Sequence, residues 1–92
     1  LQALLVMPMA KTTNRSTMQI MAEILNLCRQ SQTKTRVMYK TNLSTRMLRK
    51  YLSFLQSVGL LEAHHSITKY ATTQKGLRFI EYWNELAELT SL

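Results

Sequence analysis

The stretch KTRVMYKTNLSTRMLRKYL, Lys34 to Leu52, carries six lysines or arginines, no acid, and apolar residues at regular intervals. Like charges repel, so a folded chain that gathers them must either disperse them over a solvated face or turn them towards something negative. From Ser44 onwards the pattern predicts a helix. Ser44 offers an N-cap, Leu43 before it and Leu48 at the fourth helical position form a hydrophobic staple, and Gly59 provides the stop. At about 100° per residue, Leu48, Tyr51, Leu52, Leu55 and Val58 fall on one side of this helix, and Thr45, Arg46, Arg49, Lys50 and Ser53 on the other.

A helix that buries one face and presents three cations among small hydroxyls on the other has the chemistry of a recognition helix. Arginine pairs bidentately with guanine edges, and hydroxyls reach phosphates. An ordinary amphipathic helix hydrated by its cations would show the same split, so the surrounding sequence has to decide. The chain has 92 residues and a formal charge of +7, and all twelve of its bases lie between Lys11 and Arg78. Against them up to Ile80 stand only Glu23 and Glu62, whereas Glu81, Glu85 and Glu88 make the C-terminal segment acidic. This segregation points to a polyanionic partner, nucleic acid or an anionic membrane face, more than to a merely solubilising surface.

Ser16 and Gln19 make a capping box ahead of Ile20, Met21, Ile24, Leu25 and Cys28, which recur at helical spacing and predict a first helix ending near Gln30. The polar QSQTK then reads as a loop, and Thr35 as the cap of a short second helix that stops at Asn42. After Gly59, LLEAH and KYATT read as two strands of a hairpin around HSIT, with a loop longer than two residues because no Asn-Gly signal is present. Three helices and a hairpin make a winged helix-turn-helix, mainly α with a small β-hairpin. Lys69, with His64 and His65, would lie on the wing. Adjacent histidines in a strand point to opposite faces, and no Cys or Asp accompanies them, so a metal site is not expected.

Thr73 caps a last helix, in spite of Gly76 in its first turn. Leu77, Ile80, Trp83 and Ala87 suit the domain's own core, while Phe79, Tyr82, Leu86 and Leu89 widen the apolar arc beyond that of an ordinary surface helix. The expectation is a homodimer through Phe79, Tyr82, Trp83, Leu86 and Leu89. The rival is that LLVMPM near the N-terminus folds over these residues. Met9 reads as the initiator, with Leu1 to Pro8 an upstream addition. The organisation expected is an extension over 1–15, the winged helix over 16–73 and the dimerisation helix over 74–92.

The order of TKTRVMYKTNLS, YLSFLQSVGLLE and KYATTQKG resembles the archaeal winged-helix DNA-binding proteins, including the small basic chromatin-associated proteins of crenarchaea and related regulators. The likeness runs from about Ser16 to Leu89. Its most specific residues are Thr35, Arg36, Met38, Tyr39, Asn42, Leu43 and Ser44, then Tyr70, Thr73, Lys75 and Gly76. The resemblance implies a non-catalytic protein that binds duplex DNA and dimerises through an antiparallel coiled coil of its C-terminal helices, with Arg36 near the phosphate backbone. Two departures stand out: the last helix ends soon after Leu89, and Thr72 occupies a place where a larger apolar residue is usual.

Together these readings assemble a DNA-binding set of Lys34, Arg36, Lys40, Ser44, Thr45, Arg46, Arg49, Lys50, Ser53 and Lys69. Tyr39 and Tyr51 are read as core aromatics with their hydroxyls at the rim. A protein-interaction module within a larger complex is the alternative function, since this fold is reused widely. RNA binding is less favoured because no exposed aromatic-sheet pattern is present. An enzyme is not expected: the chain has no Asp, no Gly-rich phosphate loop and no nucleophile elbow. No cofactor or small-molecule effector is suggested. The single Cys28 fits a reducing, cytoplasmic and nucleoid-associated setting, as a buried hydrophobe without a special role.

Overall fold

The computed structural model describes residues 15–91. The N-terminal extension, the Met9 start and the LLVMPM cover for the last helix all lie outside the described residues. Within them the order is α1 (Thr17–Leu27), β1 (Gln32–Thr33), α2 (Lys34–Thr41), α3 (Thr45–Ser57), β2 (Leu61–His64), β3 (Lys69–Thr72) and α4 (Gln74–Leu89). The architecture is a winged helix followed by a C-terminal helix.

Helix α1 begins where the sequence requires. The Ser16 hydroxyl accepts from the Gln19 N–H at 3.1 Å, and the Gln19 side chain accepts from the Ser16 N–H at 2.9 Å. It ends at Leu27 rather than near Gln30, with Cys28 as its C-cap. Thr72 explains that stop. Its N–H donates to the Cys28 carbonyl at 2.9 Å and its hydroxyl to the Leu25 carbonyl at 2.6 Å, satisfying acceptors that the end of a helix leaves orphaned. A larger apolar residue at this place would offer no such hydroxyl, so the departure at Thr72 is a polar latch between β3 and α1.

The QSQTK segment is not wholly a loop. Gln32 and Thr33 form β1, which pairs antiparallel with β3 through Gln32↔Tyr70 and Thr33↔Lys69, in a three-stranded sheet ordered β1-β3-β2. Two residues carry no periodicity, which is why the strand leaves no sequence signal. Thr33, not Thr35, caps α2, its hydroxyl accepting from the Arg36 N–H at 3.2 Å. Asn42 ends α2 in the left-handed conformation at φ 59, a geometry its short polar side chain tolerates.

Ser44 caps α3 by accepting from the Met47 N–H at 3.1 Å. The far end of α3 is a Schellman closure. Gly59, at φ 79, donates to the Gln56 carbonyl and Leu60 to the Leu55 carbonyl, and the Lys75 ammonium lies 2.7 Å from the Val58 carbonyl, a cation at a helix C-terminus. Strands β2 and β3 pair in the register Leu61↔Thr72 to His64↔Lys69, and the chain reverses over 65–68 with Thr68 at φ 49.

The core gathers Ile20, Met21, Ile24 and Leu25 from α1 with its C-cap Cys28, Val37 from α2, Leu48, Leu52 and Leu55 from α3, with Leu60, Leu61 and Ile80. Burial raises the Cys28 thiol to about 11, which leaves it protonated and unreactive at neutral pH. Leu77 and Phe79 pack against this core, but Ala87 is exposed instead of buried. The reason is projection: after Ile80 only Trp83 is half-buried and residues 84–91 are all exposed, so α4 leaves the body of the domain.

Candidate nucleic-acid interface

The buried stripe of α3 is Leu48, Leu52 and Leu55, with Tyr51 and Val58 half-buried beside it, and this stripe fixes what the helix presents to solvent. Thr45, Arg46, Arg49, Lys50 and Ser53 are all exposed on the opposite face. Arg46, Lys50 and Phe54 follow one another at four-residue intervals and make one ridge, and Arg49 and Ser53 make a second. These five side chains line an open groove of about 500 Å³.

Nothing neutralises that groove within the described residues. The ion pair there is Arg15 with Glu23, and the remaining carboxylate contact is that of His64 with Glu62; neither involves a residue of α3. Arg15 also donates to the Thr41 carbonyl at 2.7 Å, which ties the start of α1 to the end of α2. The two hydroxyls at the N-terminus of α3 are partly committed. Thr45 donates to the Met38 sulfur at 3.4 Å, while the Ser44 hydroxyl accepts as the cap of α3.

The other expected residues spread over neighbouring elements. Lys34 is the first residue of α2, and Arg36 lies in its first turn rather than at its start, both exposed. Lys40 is exposed at the far end of α2 and lines a separate groove with Glu23, Asn26 and Leu27. Lys69 is half-buried in the central strand, between Thr33 on β1 and His64 on β2. The His64 Nε2 lies 3.2 Å from the Glu62 carboxylate, and among the described residues no cluster of three or more His, Cys, Asp or Glu is placed to hold a metal ion.

Two aromatic residues are differently placed from expectation or were absent from it. Tyr39 is 81% exposed, not part of the core. Helix α2 buries only the narrow arc of Val37 and Thr41, and Tyr39 lies about 200° round the helix from Val37. Phe54 is 50% exposed and belongs to the cationic groove. The signal that could have found it is its spacing from Arg46 and Lys50.

A bundle of three helices whose third presents a cationic groove, followed by a short antiparallel wing, defines the winged helix-turn-helix class, and the chain belongs to that family: the winged helix-turn-helix model matches residues 14–91. The chain is 34% identical over 76 residues to the uncharacterised protein MJ0287 of Methanocaldococcus jannaschii, covering 82% of this chain and 76% of that protein. It is also similar to the crystal structure of Sso10a-2, a DNA-binding protein from Sulfolobus solfataricus. That match has a TM-score of 0.70 and 30% identity, and covers 82% of this chain and 81% of that one. The resemblance to an archaeal winged-helix family therefore holds. No helix among the described residues is long and apolar enough to cross a membrane.

Proposed function

We propose that the chain binds double-stranded DNA without catalysis, as a transcriptional regulator or chromatin-associated protein, with α3 in the major groove and the β2–β3 hairpin along the flanking backbone. The observation that carries this reading is the outer face of α3, where Arg46, Arg49 and Lys50 are exposed with no acidic partner among the described residues. Family membership and the similarity to the DNA-binding Sso10a-2 support it. Fluorescence anisotropy with a random-sequence duplex and a single strand of the same length tests it. Saturable duplex binding is expected, with a Kd of roughly 10⁻⁶ to 10⁻⁴ M or tighter at physiological salt. A clear preference for the single strand, or no binding to the duplex, overturns the proposal.

The working unit in this proposal is a homodimer through α4. Tyr82, Leu86 and Leu89 are 66%, 52% and 82% exposed, and their spacing of four and three residues lines them up on one side of a projecting helix. Trp83 and Phe79 are half-buried beside the domain and would sit at the edge of such a contact. Light scattering should give twice the chain mass of 10.7 kDa, and Leu86→Lys should restore the single-chain mass with the fold intact. A monomeric parent protein would remove the dimer from the proposal.

A further inference from the structure

Phe54 sits where a stability argument does not need it. The residue is half exposed, and the groove it lines is otherwise made of Arg46, Arg49, Lys50 and Ser53. Met47, exposed two turns earlier, and half-buried Tyr51 between them continue an apolar edge along the cationic face. The groove is therefore chemically divided: cations and a hydroxyl along most of its length, an aromatic ring towards its C-terminal end. Eight residues separate Arg46 from Phe54, about 12 Å along the helix axis, or roughly three to four base-pair steps if the helix follows the groove floor.

In the major groove of B-DNA the base edges offer acceptors, amino donors and one apolar group, the C5-methyl of thymine. The cationic end of the groove matches the first of these. An exposed phenyl ring matches only the methyl. Resting on the duplex-binding reading above, we propose that Phe54 is a specificity-determining residue that packs on a thymine methyl, so that the protein prefers duplexes carrying a C5-methyl a few base pairs from its arginine contacts. Charge complementarity holds the helix in the groove, and Phe54 adds the discrimination that cations cannot supply.

Alternating A·T duplex and the same duplex with deoxyuridine in place of thymidine have equal backbone charge and differ at the major-groove edge by that methyl alone. The parent protein is expected to bind the thymine duplex about fourfold more tightly for each methyl it covers. Phe54→Ala should bind both duplexes alike, at the level of the parent on the uracil duplex, and Phe54→Leu should keep part of the preference. Equal affinity of the parent for both duplexes, or a preference that survives Phe54→Ala, overturns the role of Phe54 while leaving duplex binding in place. Absence of binding to either duplex overturns the duplex reading and this inference with it.

Discussion

Replacing Arg46 and Arg49 together by alanine is expected to weaken duplex binding by roughly 30-fold to 10⁴-fold for each protomer that docks on the duplex, since each well-made arginine contact is worth about 1–3 kcal/mol. The melting temperature should hardly move, because both side chains are exposed and neither forms an ion pair within the described residues that its loss would break. Salt sharpens the test. If a dimer neutralises about six to ten phosphates, the parent loses about 10³ to 10⁵ in affinity between 50 and 200 mM salt. The double variant should show a shallower slope, by about one unit of log affinity per log salt for each phosphate that is no longer neutralised. Electrophoretic shifts or anisotropy at several salt concentrations read both quantities. An unchanged affinity would return α3 to an ordinary hydrated helix, whereas a large loss with an unchanged slope would place these arginines on base edges rather than on the backbone.

The features that local chemistry specifies can be read directly from the residues. Ser16, Ser44 and Thr73 all cap as expected, Asn42 and Gly59 take the positive φ that ends their helices, and α3 divides into the two faces that its spacing dictates. What stays hidden depends on partners far along the chain. β1 exists because β3 lies beside it, and Thr33 can cap α2 because the same pairing holds its backbone extended. Tyr39 lies outside the core, against expectation, because an eight-residue helix with two buried positions gives periodicity too little to work with. Phe54 escapes notice for the opposite reason: an aromatic residue near an apolar stripe attracts no attention as a site residue, although its four-residue spacing from Lys50 places it on the ridge of Arg46 and Lys50. Gly76 reads as a defect in its helix and is a requirement of the packing.

Gly76→Ala should destabilise the protein by about 3 kcal/mol, although alanine is the better helix former by about 1 kcal/mol. Helix α4 starts against the turn that follows α3. Thr73 donates its N–H to the Leu60 carbonyl at 3.1 Å and its hydroxyl to the Gly59 carbonyl at 2.6 Å, and that hydroxyl accepts the Gly76 N–H at 3.1 Å. A Cβ on residue 76 would lie 2.3 Å from the Leu60 carbonyl oxygen and 2.5 Å from the Thr72 Cγ2. The threonine methyl could yield a little, but the backbone oxygen is fixed by its own hydrogen bond and by the Schellman closure behind it. Relief therefore requires α4 to back away, which loosens the Thr73 contacts and the seat of Ile80 in the core, the same class of cost as overpacking. For a domain of this size the melting temperature should fall by roughly 12–24 °C, readable by circular dichroism. Because no residue that lines the groove on α3 is among those a Cβ at residue 76 would meet, the folded fraction at low temperature should bind duplex as the parent does. A variant as stable as the parent, or more stable by the helix-propensity gain, would mean that α4 does not approach the Leu60 carbonyl so closely and that the projection of its exposed face has to be redrawn.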